Sequence, residues 1–122
     1  MNVLVIEDEK PAARRLSRML EALALNVLAQ LNSVEEAIDW FKNHEHPDLI
    51  FLDLNMPEVN GWQFLEVLTE KQNQTQVVIV TSSTSIHDKE KAQKYAQVID
   101  FLEKPLTKNT ILSLKSKLDL AG

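Results

Sequence analysis

Four short apolar runs punctuate the chain: Val3-Leu4-Val5-Ile6, Leu49-Ile50-Phe51-Leu52, Val77-Val78-Ile79-Val80, and Val98-Ile99 with Phe101-Leu102. Each is mostly β-branched or aromatic and continuous rather than alternating, the pattern of strands buried on both faces. A more polar fifth run, Val27-Leu28-Ala29-Gln30-Leu31, reads as an edge strand. Helical periodicity fills the gaps. Pro11 suits a first helical turn, and Ala12, Leu16, Met19, Leu20 and Leu23 follow it as a 3.6-residue stripe. Ser33-Val34-Glu35-Glu36 has capping-box spacing, with Ala37, Ile38 and Phe41 behind it. Phe64, Leu65 and Leu68 mark a third helix after Gly61, and Asp88–Ala96 a fourth with few apolar positions. Thr107 caps a fifth, carrying Ile111, Leu114 and Leu118. Strand and helix thus alternate five times, which predicts one α/β domain with a parallel sheet covered on both faces.

Composition narrows the functional classes. The 122 residues suit one domain, and 44% apolar with 25% charged residues fits a globular chain. A net charge of −5 argues against general nucleic-acid binding. The chain has no cysteine, which excludes disulfides, thiolate metal sites and a catalytic thiol. Its two glycines, Gly61 and Gly122, exclude a Gly-rich phosphate loop. No apolar stretch approaches the ~20 residues of a membrane span, and residues 1–8 lack a signal-peptide pattern, so the expected location is the cytoplasm with no membrane contact.

Chemistry gathers at the strand ends. Ligands of open parallel sheets bind beyond the carboxyl ends of the strands. There the first strand runs into Glu7-Asp8, the third into Asp53, the fourth into Thr81-Ser82-Ser83 and the fifth into Lys104-Pro105. Singly, these residues also read as solvated turns, helix caps or an exposed lysine. Jointly they bring three carboxylates, hydroxyls and one ammonium to one edge. Such carboxylates repel, raising a pKa unless a cation joins them. An all-oxygen set without His or Cys suits Mg²⁺ or Mn²⁺. With no thiol and no His-paired hydroxyl, the best nucleophile is a carboxylate, and Asp53 ends the most apolar strand. A hydroxyl and an ammonium could then stabilise phosphoryl oxygens. His44, His46 and His87 read as surface residues, Trp40 as helix packing and Trp62 as a possible partner contact. Asp88-Lys89-Glu90-Lys91 reads as a solvated helical face.

In order and spacing, Glu7-Asp8, Leu52-Asp53-Leu54-Asn55-Met56-Pro57, Gly61, Val80-Thr81-Ser82 and Lys104-Pro105 resemble the receiver domain of bacterial two-component response regulators. The resemblance spans essentially the whole chain, residues 1–122 forming one chemotaxis-receiver-like domain. It implies a doubly wound (βα)5 flavodoxin-like three-layer sandwich with strand order 2-1-3-4-5. It further implies phosphorelay signalling, with Asp53 accepting a phosphoryl group from a histidine kinase or phosphotransfer protein. Asp8, Asp53 and the Asn55 backbone carbonyl would hold Mg²⁺ (or Mn²⁺), with Glu7 acting through water. Thr81, or Ser82 one residue on, and Lys104 would bind the phosphoryl group. Thr81 and Phe101 would form a switch, core packing being the plainer role of Phe101. The Lys104–Pro105 bond would be cis. A downstream protein would read the face of helix 4, strand 5 and helix 5, with no direct DNA binding.

Two departures bear on these expectations. Glu7 stands where the family more often has Asp, which bears on metal affinity rather than activity. No Gly lies near the end of the fourth helix, so a non-Gly residue must close it. The chain ends soon after the fifth helix, which fits a free-standing receiver or a piece of a longer regulator, without an output domain in this sequence. The protein is not expected to be a turnover enzyme, since it would only accept and lose its own phosphoryl group. A Mg²⁺-dependent phosphatase with an aspartyl-phosphate intermediate is the enzymatic alternative. Asn55 speaks against it, because Asn cannot serve as the general acid expected there. An unphosphorylated pseudo-receiver acting as an interaction module is the other alternative.

Overall fold

The computed structural model describes residues 1–44, 46–54, 61–70, 75–82 and 86–121. Five strands, β1 (Asn2–Ile6), β2 (Asn26–Leu31), β3 (Leu49–Asp53), β4 (Gln76–Thr81) and β5 (Val98–Glu103), alternate with five helices. The helices are α1 (Lys10–Ala22), α2 (Val34–Asn43), α3 (Gly61–Glu70), α4 (Ile86–Ala92) and α5 (Lys108–Ala121). All strand pairs are parallel, in the order β2-β1-β3-β4-β5. This is the flavodoxin-like arrangement expected from the sequence.

Alternation along the strands divides the interior into two cores. Leu4, Ile6, Ile50, Leu52, Val77 and Ile79 pack with Ala37, Phe64, Leu65, Leu68 and Ala92 under α2, α3 and α4. Val3, Val5, Leu49, Phe51, Val78 and Val80 pack with Ala13, Leu20, Ile111, Leu114 and Leu118 under α1 and α5. Central β3 is buried at all five positions, as a strand flanked on both sides and covered on both faces must be. β2 is an edge strand, as its polarity predicts. β5 is the other edge and is half-buried along most of its length, which its apolar sequence did not signal.

The helices confirm the pattern with informative shifts. On α1 the buried residues are Ala13, Ser17 and Leu20, of which only Leu20 belongs to the apolar stripe. Leu16 and Met19 of that stripe are only partly buried, because they border a cavity. The capping box of α2 is offset: Ser33 Oγ accepts from Glu36 N at 3.1 Å, but Glu36 Oε2 accepts from Asn32 N rather than Ser33 N. Thr107 caps α5 as predicted, its Oγ1 accepting from Thr110 N at 3.2 Å. α4 is shorter than the predicted 88–96 span and ends at Ala92. Bonds from Lys94 N to Lys91 O and from Tyr95 N to Ala92 O tighten its exit, and no left-handed residue is needed there.

The left-handed residue lies instead at the end of α1, where Ala24 has φ 66°. Leu25 N donates to Leu20 O and Ala24 N to Glu21 O, both at 3.0 Å, forming a Schellman cap with Leu20 and Leu25 in the same core. Lys115 Nζ from α5 adds a bond to Leu23 O. A Cβ in this conformation costs about 1–2 kcal/mol, partly offset by the greater unfolded-state freedom of glycine. Ala24→Gly is therefore expected to stabilise the fold by about 0.5–1 kcal/mol, read as a higher urea midpoint at unchanged m. An unchanged or lower midpoint would show that the cap carries no such strain.

Candidate functional site

The strand ends expected to carry the chemistry do meet. Glu7 follows β1, and its N–H donates to Leu31 O at 2.9 Å, extending the β1–β2 ladder by one rung. Its carbonyl accepts from Asn32 Nδ2 at 3.0 Å, an anchor without a signal in the sequence. Asp53 is the last residue of β3, held in register beside Val80. Because β1 and β3 are neighbours, two residues far apart in the chain place their carboxylates side by side. Lys104 follows β5, and its N–H donates to Thr81 O at 2.8 Å. The Lys104–Pro105 bond is cis, as expected. The irregularities in the β1–β2 and β4–β5 ladders, at Val3/Leu4 and Val77/Val78, lie nearer the opposite end. The register at the site end is therefore regular.

Glu7 and Asp53 are each only 4% exposed, while Asp8 is half-buried. One oxygen from each lies within 4.8 Å of the other two, close enough to share one cation. Lys104 Nζ is 2.6 Å from Glu7 Oε1 and 3.5 Å from Asp53 Oδ2. Burial first, and then the Asp53 carboxylate, push the Glu7 pKa up to about 8 against the opposing pull of Lys104. Burial alone would lower Lys104, but the bond to Glu7 and the charges of Asp53 and Glu7 outweigh it and raise its pKa. The raised carboxyl expected from crowded acids is thus Glu7. Its Oε2 is buried without a hydrogen-bond partner, an oxygen suited to a cation.

A cavity of about 400 Å³ opens beside these groups. Glu7, Asp53, Ser82 and Lys104 line it at the site, and Ala12, Leu16 and Met19 of α1 with Leu106 form its apolar wall. Arg15 and Glu9 also line it. Its α1 wall was read in the sequence as core. Thr81 is fully buried at the end of β4 and Ser82 is exposed beyond it. Ile79 pairs with Phe101 and Thr81 with Glu103, so Thr81 and half-buried Phe101 belong to the α3/α4 side of the sheet. Asn55 and Ser83 lie outside the described residues, as do Met56 and Pro57 of the motif.

The other candidates make contacts within the fold. His44 stacks on Trp40 at 4.5 Å, and His46 lies against Phe41 at 5.4 Å. Among the described residues, no histidine belongs to a group able to hold a metal. Trp62 stacks on Tyr95 at 6.0 Å with Lys91 Nζ 4.7 Å from its ring, joining α3 to the end of α4. Among the described residues, no helix is long and apolar enough to cross a membrane.

Comparison with known proteins agrees with this geometry. The cell cycle response regulator CtrA of Brucella ovis is 31% identical over 113 residues, covering 93% of this chain and 47% of that protein. The chain thus spans about half the length of the curated relatives it matches. The signal receiver domain of a LuxO repressor-type protein from Vibrio parahaemolyticus superposes with TM-score 0.83 at 25% identity, covering 98% of this chain and 87% of that one. A Francisella response regulator receiver domain superposes with TM-score 0.84 at 24% identity, covering 96% and 94% respectively. The sequence model described as response regulator receiver domain matches residues 3–115. With its fold, its acidic edge and this match in agreement, the chain belongs to the response regulator receiver-domain family.

Proposed function

We propose that this receiver takes a phosphoryl group on Asp53 from the phosphohistidine of a histidine kinase or phosphotransfer protein, as a cytoplasmic signalling component. The observation that carries this reading is the Lys104 ammonium 3.5 Å from the Asp53 carboxylate, beside two further acids whose oxygens share one small space. In the transfer, an Asp53 carboxylate oxygen bonds to phosphorus as the bond from phosphorus to the donor imidazole nitrogen breaks. The imidazole leaves with the electron pair. Water later cleaves the acyl phosphate, returning the carboxylate and inorganic phosphate, so the protein turns over only its own modification. The apolar α1 wall and Leu106 beside the site supply a surface against which a donor protein can seat.

The donor set fits Mg²⁺ (or Mn²⁺): all oxygen, mostly carboxylate, with one buried oxygen unpartnered. Asp8 and Asp53 would hold the ion directly, with the Asn55 carbonyl, and Glu7 would contribute through water. When bound, the ion supplies charge neutralisation to the phosphoryl oxygens. Lys104 and the Thr81 hydroxyl, or that of Ser82, orient the same oxygens. Thr81 and Phe101 share one side of the sheet on adjacent strands, which supports their pairing as a switch. Half-buried edge strand β5 supports a readout surface formed with α4 and α5.

Incubation with Mg²⁺ and a small phosphodonor such as acetyl phosphate is expected to add one phosphoryl mass, and Asp53→Asn to abolish it. Absence of the adduct with every donor overturns the reading in favour of an unphosphorylated module, and multiple turnovers on a phosphomonoester would make the protein a phosphatase. Proton linkage gives a second expectation. Without divalent cations, folded Glu7 keeps its proton up to about 8, whereas the unfolded chain releases it near 4.5. The Glu7 contribution to stability is therefore full below the unfolded value, falls as pH rises through this window and levels off above it. Denaturant titrations across the window should show the stability of the wild type falling relative to Glu7→Gln. Mg²⁺ should stabilise the wild type increasingly as pH rises, because it binds the ionised form. A flat difference between the two proteins would contradict the assignment.

A further inference from the structure

Asp53 is only 4% exposed, and it lines the cavity of about 400 Å³ beside the site. That volume falls within the roughly 300–1,000 Å³ of small-molecule sites. A donor reaching Asp53 through the cavity presents its leaving group to the cavity wall. Leu16 and Met19 of α1 and Leu106 after β5 form the sides, and Phe51 and Val80 of the sheet form the floor. All five pack in the α1/α5 core, so the wall is a part of that core left uncovered. Asp53, Ser82 and Lys104 make one end of the cavity polar. Its two exposed charged residues, Glu9 and Arg15, are opposite in sign and favour no net charge on what lies against the wall. A phosphorylated head with a short, uncharged, apolar tail matches this lining.

We propose that this cavity is an acyl subsite, through which the protein takes phosphoryl groups from small acyl phosphates and selects short apolar chains over acetyl phosphate. The inference rests on the reading of Asp53 as phosphoacceptor. In the transfer, an Asp53 carboxylate oxygen bonds to phosphorus as the bond from phosphorus to the acyl oxygen breaks. The acyl carboxylate leaves with the electron pair, and no proton has to move. An acetyl group offers the wall one methyl, whereas propionyl and butyryl groups offer one and two further methylenes. Each methylene buried against the wall strengthens binding of the donor and of the transition state alike, since the tail does not change during transfer. Chain length therefore acts on the second-order rate constant. The carboxylates that leave from these three donors are almost equally basic, so the series isolates the wall from the chemistry.

The test measures the rate of phosphoryl mass gain with acetyl, propionyl and butyryl phosphate, below saturation and at equal Mg²⁺ and ionic strength. The second-order rate constant is expected to rise about threefold per methylene, hence about tenfold from acetyl to butyryl. Ala12→Leu fills the cavity from α1, and Leu106→Asn makes its wall polar. Each is expected to bring the butyryl-to-acetyl ratio near one, whereas a merely structural loss lowers both rates and leaves the ratio intact. Urea titration confirms that a variant is folded, and either variant alone suffices. Equal wild-type rates for the three donors, or a ratio that survives substitution, overturn the subsite. Calorimetry with the matching phosphonates, in which a methylene replaces the bridging oxygen, reads the wall without transfer. Wild type is expected to bind the butyryl analogue about tenfold more tightly than the acetyl one. If adduct forms equally fast with all three donors, the subsite fails and the phosphoacceptor reading stands, the cavity serving a donor protein alone. If phosphonate affinity rises with chain length while no donor leaves an adduct, the subsite stands as a binding site and the phosphoacceptor reading fails.

Discussion

Two carboxylates buried side by side are the constraint around which this molecule is arranged. Glu7 and Asp53 leave water almost completely, and each charge would oppose the other in a region of low polarisability. Such a pair persists when a proton, an ammonium or a metal answers it. The fold supplies the ammonium from the far edge of the sheet, where Lys104 reaches over the intervening strands. The backbone bonds of Glu7 to β2 and of Lys104 to β4 hold the opposed groups in place. Relief is incomplete, and the remaining negative charge makes the edge receptive to a cation.

The packing around the edge is graded. Below Asp53, β3 is buried along its whole length, and alternate residues feed the two cores. A carboxylate at the end of such a strand is held by the most cooperative part of the fold. At the sheet margin, β5 is half-buried and Phe101 packs against only part of the α3/α4 core. Rearrangement costs less where fewer contacts must be broken, so this edge is the less firmly held part of the sheet. The Trp62–Tyr95 stack and the Lys91 contact tie α4 to α3 on the same side.

α1 shows how an amphipathic helix serves two purposes. Ala13, Ser17 and Leu20 dock it on the sheet, while the neighbouring stripe of Ala12, Leu16 and Met19 borders the cavity beside the site. The first set contributes to folding. The second leaves apolar surface beside the site, and polar groups at the site end give that surface a direction.

By itself the sequence determined the alternation of elements, the buried character of β1, β3 and β4, the edge character of β2, and which residues crowd the strand ends. These follow from local periodicity and from motif spacing, which any backbone placing the apolar face inward must obey. It also determined the caps at Ser33 and Thr107, because a hydroxyl three residues before a free N–H needs little context. Tertiary structure decided what depends on distant neighbours. Ala24 closes α1 in a left-handed conformation without a glycine to announce it, since packing of Leu20 with Leu25 and the bond from Lys115 stabilise the turn. α4 stops at Ala92 because the last apolar positions of its predicted span serve the turn and the stack on Trp62. The choice of Glu7 as partner of Lys104 is likewise tertiary: their separation of 97 residues is closed only when the order of strands sets the gap that two side chains must span.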